Sequence, residues 1–199
     1  MREEIIRPVV PWEVRESGLV FDHPWARVRR DLCVTAPGAN PIEYFSFEGP
    51  DFAIVVAVTD AGDVLLTRQY KHGIGEIVYE LPAGMIDEDD ASPESAAQRE
   101  LREETGYAGG DWTSLGVLYA SPSKSTVQAH AFLARGVVRV AEPSPDVNEA
   151  IAVVTLSLDE LRLLLRECEI KDTTSVAVCF AALTALAAGT AMAEAPAKG

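Results

Sequence analysis

Four charged residues within positions 99–104, in the middle of the chain, could together do chemistry. They are Arg99, Glu100, Glu103 and Glu104, in the stretch RELREE. If this stretch is helical, Glu100 and Glu104 lie one turn apart on the same side, and Glu103 lies about 100° round the helix from Glu104. All three carboxylates can then edge one concave surface. Carboxylates crowded in this way repel each other, and divalent cations with oxygen ligands would cancel the repulsion.

The arginine has a role of its own in this pattern. Arg99 precedes Glu103 by four residues, so the two side chains can pair on the helix surface and hold one carboxylate in place. Magnesium binds through few carboxylates together with substrate phosphates, which matches this set of residues. Taken alone, however, an acidic run such as ELREE more often forms a solvated helix face. The choice between the two interpretations depends on the wider sequence.

The stretch from residue 81 to residue 107 resembles the Nudix box. In that family the pattern reads Gly, five residues, Glu, seven residues, Arg-Glu, an aliphatic residue, any residue, Glu-Glu, any residue, Gly and an aliphatic residue. Gly84 and the half from Arg99 to Gly106 match it. The resemblance covers roughly residues 18–185. Its flanks are similar to the ADP-ribose pyrophosphatase branch at Arg68-Gln69-Tyr70-Lys71, Glu80-Leu81-Pro82-Ala83-Gly84, Ser121-Pro122, Phe132-Leu133-Ala134 and Glu149 ahead of a strand.

One part of the box departs from the pattern. The family leaves 13 residues between its Gly and its Arg, whereas residues 85–98 number 14 here. The first box glutamate therefore falls on Asp90 when counted from the glycine and on Ala91 when counted from Arg99. In the family that glutamate is mainly a structural partner of the box arginine. We expect Asp90 to replace it, or a neighbour such as Glu94 to take its role.

The resemblance implies a metal-dependent hydrolase of diphosphate bonds. Glu100 and Glu104 would be the main metal ligands, Glu103 would be a further ligand or a water-orienting group, and the backbone carbonyl of Ala83 would join the metal shell. The cofactor would be Mg²⁺ or Mn²⁺. Such ions clamp phosphoryl oxygens and lower the pKa of bound water, which suits a reaction that needs charge neutralisation and an oriented water.

One more acidic residue is expected to ligate a metal or to serve as the catalytic base, and two residues are candidates for it. By resemblance, a further acid comes from a loop ahead of the strand that precedes the last helices, and residues 145–149 occupy that place. Glu149 is the first candidate and Asp146 the second, although loop acids are often simply solvated. The expected catalytic residues are therefore Glu103, Glu149 and Arg99. The loop after Ser121-Pro122, where some relatives carry an acid, has none.

Residues that would contact the substrate lie on both sides of the box. Basic groups suit the diphosphate, Glu80 suits sugar hydroxyls or a pair with Arg68, and an aromatic ring can stack on a base. The competing interpretation is a solvated surface charge for the charged residues, and a place in the core or in a dimer interface for the aromatic residue. The expected substrate-binding residues are Trp25, Arg68, Lys71, Glu80, Gly84 and Lys124.

The elements that must position these groups follow from hydrophobic periodicity. Residues 52–59 form a near-continuous apolar run, as in a strand buried on both faces. A helix is predicted over 93–105, with Ser92 as its cap, Pro93 in its first position and Gly106 as its end. Further strands are predicted at 18–22, 25–34, 42–48, 64–70, 76–81, 114–120, 128–139 and 150–157, and further helices at 158–167 and 173–188.

Strands mixed with helices in this order predict an α/β protein. The expected fold is a Nudix-type α/β/α sandwich with a mixed sheet, plus a small N-terminal antiparallel β unit. Residues 1–49 would form an N-terminal arm with antiparallel strands for dimerisation or substrate contacts, and the arm itself would cover 1–16. Residues 50–189 would form the Nudix hydrolase domain, and 190–199 a loose tail.

The net charge and the cysteine spacing limit the kinds of partner that this protein is expected to bind. The formal net charge of −14 argues against nucleic acid, because backbone phosphates would be repelled, but not against a small phosphate substrate. Cys33, Cys168 and Cys179 lack metal or disulfide spacing and suit reduced thiols in a cytoplasmic protein. No apolar run is long enough to predict a membrane span. An apolar last helix and an N-terminal arm are compatible with a homodimer.

Two functions from different classes remain in view. The first is a Nudix hydrolase that cleaves ADP-ribose, or a related sugar nucleotide such as GDP-mannose or a UDP-sugar, into a nucleoside monophosphate and a sugar phosphate. The second is a weak or inactive Nudix-like module that binds a nucleotide sugar for regulation. The longer box loop and the missing acid after Ser121-Pro122 favour the second. The joint presence of Arg99, Glu100, Glu103 and Glu104 favours the enzyme.

Overall fold

The computed structural model describes residues 10–24, 26–144 and 150–193. The chain divides into two compact units. Unit 1 comprises Met1–Gly49 and Ser121–Val127, and unit 2 comprises Pro50–Ala120 and Gln128–Gly199. The return of residues 121–127 to unit 1 has no signal in the sequence, because that segment is a short polar loop between two strands of unit 2.

Unit 1 is a three-stranded antiparallel sheet in the order β1-β2-β3. The strands are β1 (Glu13–His23), β2 (Ala26–Val34) and β3 (Ile42–Glu48). This confirms the predicted small antiparallel unit, although β1 begins inside the segment predicted as an arm. Residues 121–127 join the unit through backbone hydrogen bonds, one of which runs from the Phe47 amide to the Lys124 carbonyl over 2.7 Å.

Unit 2 is built on an eight-stranded sheet whose main path runs β11-β5-β4-β10-β8. Strands β4 and β10 are parallel and the other pairs are antiparallel, so the sheet is mixed. The strands are β4 (Phe52–Thr59), β5 (Val64–Lys71), β6 (Glu76–Glu80), β7 (Ala83–Met85), β8 (Tyr107–Ala108), β9 (Asp111–Leu118), β10 (Ala129–Arg139) and β11 (Ile151–Leu156).

Helices cover both faces of this sheet. They are α1 (Pro93–Thr105), α2 (Leu158–Arg166) and α3 (Thr173–Ala193). Along β4, Ala53, Val55 and Ala57 pack with buried residues of α1, while Ile54 and Val56 pack with buried residues of α2 and α3. Side chains of a strand alternate between its faces, so burial on both faces explains the continuous apolar run. The predicted α/β/α sandwich with a mixed sheet is confirmed.

The helix that carries the acidic cluster is fixed at both ends. Ser92 and Ser95 form a capping box at its start, with Pro93 in the first turn, as the sequence predicted for Ser92 and Pro93. Gly106 ends it in the left-handed region at φ 77°, and a Cβ there would lie 2.3 Å from the Ala141 carbonyl oxygen. Glycine is therefore required both by conformation and by space.

The last helix is longer than predicted. It reaches Ala193, past residue 190, where the sequence predicted a loose tail to begin. Residues 194–199 lie outside the described residues. In the described part of the chain, no helix combines the length and apolarity needed to cross a membrane. Cys33 and Cys179 are buried and Cys168 is exposed, and all three are free thiols. Burial raises the pKa of the Cys179 thiol to about 12.

Candidate active site

The acidic face of α1 lies against the short strand β7. The backbone amide of Ala83 donates a hydrogen bond of 3.2 Å to a carboxylate oxygen of Glu104. Glu104 is only 6% exposed, which is rare for a glutamate and excludes a merely solvated helix face at this position. The contact brings a main-chain segment and an acidic side chain together although they are 21 residues apart in sequence.

Gly84 leaves room for the second carboxylate. A Cβ at this position would lie 2.1 Å from the carboxylate carbon of Glu100, a distance that atoms cannot share. Gly84 lies within β7, paired with Ala53, and the Glu100 carboxylate occupies the space that a side chain at this position would need.

Arg99 ties the acidic residues to the loop before the helix. Its guanidinium donates to Glu100 over 2.7 Å and to Glu103 over 3.2 Å, which confirms the predicted pairing of Arg99 with Glu103. It also donates to the backbone carbonyl of Met85 over 2.9 Å. Hydrogen bonds to carboxylates, first of all to Asp90, raise the pKa of Arg99 above its ordinary value. The arginine therefore stays charged and holds several groups at once.

Asp90 fills the place of the missing box glutamate. Both of its carboxylate oxygens accept hydrogen bonds from Arg99, over 3.2 and 2.9 Å. The alternative partner, Glu94, accepts a hydrogen bond from Gln98 instead. A carboxylate thus still reaches Arg99, although the loop is one residue longer and aspartate is shorter than glutamate. Hydrogen bonds from Arg99 and from the Asp87 amide lower the pKa of Asp90.

We expect Asp90→Asn to destabilise the fold at neutral pH by about 1–3 kcal/mol, because a hydrogen bond between charged groups is lost. Because the pKa of Asp90 is lowered in the folded protein, its stabilising effect is fully present above the pKa that Asp90 has in the unfolded chain. The effect is lost as the pH falls through the pKa that Asp90 has in the folded protein. The difference in melting temperature between variant and wild type should therefore shrink below about pH 4. Thermal melting monitored by circular dichroism from pH 3 to pH 8 measures it, and a difference that does not depend on pH would contradict the assignment.

Glu103 differs from its two neighbours in exposure. Its side chain is 46% exposed, against 14% for Glu100. Glu100 and Glu104 therefore lie against β7, whereas Glu103 lies at the exposed edge of this acidic cluster, where Arg99 pairs with it. The exposed carboxylate of Glu103 can contact a water molecule directly, whereas that of Glu104 is buried and already accepts a backbone hydrogen bond.

The basic residues predicted for substrate contact are engaged within β5 and β6. Lys71 forms an ion pair of 2.7 Å with Glu80, and the guanidinium of Arg68 lies 5.1 Å from the ring centroid of Tyr79. The predicted alternative of a pair between Glu80 and Arg68 is therefore wrong: Lys71 takes the carboxylate, and Tyr79 offers its ring face to the arginine.

A cavity adjoins the Lys71–Glu80 pair. It has a volume of about 260 Å³, and both members of the pair line it. Its remaining lining residues are Gly73, Ile74, Val78, Lys171, Asp172 and Thr173. The tip of the β5–β6 hairpin and the start of α3 therefore face one another across this space.

The remaining predicted contacts fall elsewhere. Lys124 belongs to unit 1, where its ammonium lies 5.4 Å from the ring centroid of Tyr44. Trp25, and Asp146 and Glu149, which the sequence predicted as loop acids, lie outside the described residues. The sequence did not single out Tyr79, Asp87 or the Met85 carbonyl. The contacts of Tyr79 with Arg68 and of Met85 with Arg99 join separate elements, so no local signal marks them, whereas the Asp87 amide bonds Asp90 only three residues away.

The residues beside β7 suit a hard divalent cation. In the described ranges 10–24, 26–144 and 150–193, no group of three or more His, Cys, Asp or Glu side chains forms a ready-made metal site. However, Glu100 and Glu104 bring carboxylate oxygens to a backbone segment that Gly84 keeps free of side chains. Two carboxylates with main-chain oxygen nearby are the donors that magnesium prefers when a substrate completes its shell.

Comparison with known proteins agrees with this arrangement. A family model described as the NUDIX domain matches residues 49–175, more than half of the chain. ADP-ribose pyrophosphatase of Bacillus subtilis (strain 168) is 32% identical over 124 residues, which cover 62% of this chain and 66% of that protein. ADP-ribose pyrophosphatase of Mycobacterium tuberculosis (strain ATCC 25618 / H37Rv) is 33% identical over 138 residues, covering 69% and 64%. Each match thus spans just under two thirds of the relative's own length.

The fold has a counterpart among solved structures. The crystal structure of an ADP compounds hydrolase superposes with a TM-score of 0.81 at 21% sequence identity, over 92% of this chain and 98% of that one. At this identity the likeness concerns the architecture alone.

Proposed function

This chain belongs to the Nudix family, and we propose that it hydrolyses the diphosphate bond of ADP-ribose or a related nucleoside diphosphate sugar. The products would be a nucleoside monophosphate and a sugar phosphate. The observation that carries the proposal is the burial of Glu100 and Glu104 against Ala83 and Gly84, with Arg99 holding the cluster. Two of the similar proteins are ADP-ribose pyrophosphatases, which supports this substrate class.

Mg²⁺ or Mn²⁺ would be held by Glu100, Glu104 and the carbonyl of Ala83, with Glu103 as a further ligand or water-orienting group. When bound, such an ion supplies charge neutralisation at the phosphoryl oxygens and a more acidic water. The chain's own contribution is rigidity: the Ala83 amide fixes Glu104, and Arg99 fixes Glu100 and Glu103. Groups that are fixed before the substrate arrives need no reorganisation in the transition state.

Three residues are candidates for the general base. Glu103 is exposed enough to contact water, and the resemblance assigns Glu149, with Asp146 as the second choice, to a loop that supplies an acid. Whichever residue is the base, its replacement by the matching amide should remove the limb of the pH–rate profile that reports its ionisation. The profiles of Glu103→Gln, Glu149→Gln and Asp146→Asn therefore decide among them.

The substrate's polar groups would meet residues of β5 and β6. The Lys71 ammonium would contact phosphate and the Glu80 carboxylate would accept from sugar hydroxyls, which is supported by the cavity that this ion pair lines. Arg68, Gly84, Lys124 and Trp25 complete the proposed substrate contacts. We propose further that the protein is cytoplasmic, as its free thiols favour, and that it has no nucleic acid partner, as its net charge of −14 favours, and no membrane partner. We also propose a homodimer, with which the apolar last helix and the N-terminal arm are compatible.

Incubation of the protein with a panel of nucleoside diphosphate sugars and Mg²⁺ or Mn²⁺, with products identified by mass spectrometry, tests the function. We expect AMP and ribose phosphate from ADP-ribose, at a rate well above that for nucleoside triphosphates. Tight binding of a nucleotide sugar without any product would instead support the regulatory module. Loss of the products on addition of EDTA, and their return with excess Mg²⁺, is the control for metal dependence.

A further inference from the structure

The segment that carries the Ala83 carbonyl is held from three sides. The Ala83 amide donates to Glu104 on α1, and the Pro82 carbonyl accepts a hydrogen bond of 3.0 Å from the Val55 amide on β4. The third contact comes from the last helix: the Leu81 amide donates to the side-chain oxygen of Ser175 over 3.1 Å. Proline has no amide hydrogen, so Ser175 and Glu104 accept from both backbone donors between residues 81 and 83.

The contact from α3 is a buried side-chain bond. Leu81 is 2% exposed and Ser175 is 1% exposed, so water cannot replace Ser175 as the acceptor for this amide. A buried amide without an acceptor is strongly disfavoured. Removal of the hydroxyl would therefore make the segment shift until the Leu81 amide finds another partner, and Ala83 lies two residues further along.

Ser175 is itself held in place. Its backbone amide donates to the Asp172 carboxylate over 2.6 Å at the start of α3. Asp172 also lines the cavity that Lys71 and Glu80 share. One turn of α3 therefore contacts both the cavity proposed for the substrate and the segment proposed for the metal.

We infer that Ser175 is a positioning residue, which fixes the Ala83 carbonyl for cation binding through its hydrogen bond to the Leu81 amide. The inference rests on the proposed metal site of the preceding section. Ser175 touches neither the cation nor the substrate, and it acts through the backbone alone. Partners of this kind, behind the direct ligands, commonly change metal affinity by about 10–100-fold when removed.

The test measures Mn²⁺ binding to the protein without nucleotide, by electron paramagnetic resonance of free Mn²⁺. Ser175→Ala should weaken the affinity about tenfold, and Ser175→Thr should retain most of it because the hydroxyl remains. Val178→Ala is the matched control: Val178 is fully buried one turn further along the same helix and belongs to the same core cluster as Leu81, so its truncation loosens the packing of α3 but keeps the Ser175 hydroxyl that accepts from the Leu81 amide. Equal weakening in Val178→Ala and Ser175→Ala, or unchanged affinity in Ser175→Ala, would overturn the inference.

A second measurement uses the wild-type protein and does not depend on whether a variant folds. Binding at two coupled places is reciprocal, so a cation that needs the ordered segment must also strengthen the Leu81 hydrogen bond. We expect Mg²⁺ to slow hydrogen exchange of the Leu81 amide several-fold more than that of the Val64 amide in β5. Equal effects on both amides, or no binding of Mn²⁺ by the wild type, would count against Ser175 as a positioning residue.

These outcomes are separable from those of the hydrolysis assay. Cation binding is read without substrate, so a protein that binds Mn²⁺ through the Ser175-dependent segment but hydrolyses nothing would refute the proposed function alone. Full hydrolysis with unchanged Mn²⁺ affinity in Ser175→Ala would refute the inference alone.

Discussion

Replacement of Glu104 by glutamine should lower kcat on the preferred substrate on the order of a thousandfold while the fold stays intact. Glutamine keeps the size of glutamate and an oxygen that can accept from the Ala83 amide, so the contact with β7 survives. What disappears is the negative charge that the proposed cation needs. Glu100→Gln should behave similarly, because its carboxylate lies directly against Gly84. Steady-state kinetics, with circular dichroism as the check on folding, measures both.

Glu94→Gln supplies the matched control for this prediction. It removes the same charge from the same helix, but Glu94 is exposed and accepts its hydrogen bond from Gln98, away from the cluster. Its rate should stay within about twofold of wild type, because an exposed charge is largely screened. If Glu104→Gln and Glu94→Gln gave the same rate, Glu104 would have no part in the chemistry.

The second large effect is expected from Arg99→Lys. Lysine keeps the positive charge but cannot present a planar fork to Asp90, the Met85 carbonyl, Glu100 and Glu103 together. We expect kcat/KM to fall about a hundredfold, because the carboxylates lose their fixed orientation. The free energy of unfolding should fall by about 1–3 kcal/mol as well, since hydrogen bonds between charged groups are lost. Urea denaturation and kinetics measure the two effects separately.

Arg102→Lys controls for the effect of lysine on the helix itself. Arg102 is exposed on α1, and its side chain has no ion pair among residues 10–24, 26–144 and 150–193. Its variant should match wild type in both stability and kcat/KM. If Arg99→Lys were as stable as Arg102→Lys, the hydrogen bonds of the Arg99 guanidinium would contribute nothing to the stability of the fold.

Local patterns in the sequence predicted the elements with strong physical signatures. The apolar run 52–59 became β4, and the signals Ser92, Pro93 and Gly106 marked the two ends of α1. Binary patterning and helix caps depend on neighbours within a few residues, so they can be read without the fold. The three-residue strand β7 and the two-residue strand β8 were missed, since such short strands have no period of their own and form only because a partner strand is present.

In the candidate site, too, the sequence predicted the local features and left the long-range contacts open. The spacing of Glu100, Glu103 and Glu104 and the pairing of Arg99 with Glu103 follow from helix geometry, so the sequence alone determined them. Counting along the chain could not decide between Asp90, Ala91 and Glu94 as the partner of Arg99. That choice depends on where the loop of 14 residues places each side chain in space, which only the tertiary structure shows.

By itself, then, the sequence determined the chemical inventory of this protein: an acidic helix, a glycine at a fixed distance before it and the family to which both belong. The tertiary structure decided which groups meet. In the folded chain Glu80 pairs with Lys71, the Leu81 amide donates to Ser175, and the Glu100 carboxylate lies against Gly84. The physical reason is that spacing along a helix is a property of the local backbone, whereas contacts between distant segments depend on how every intervening element packs.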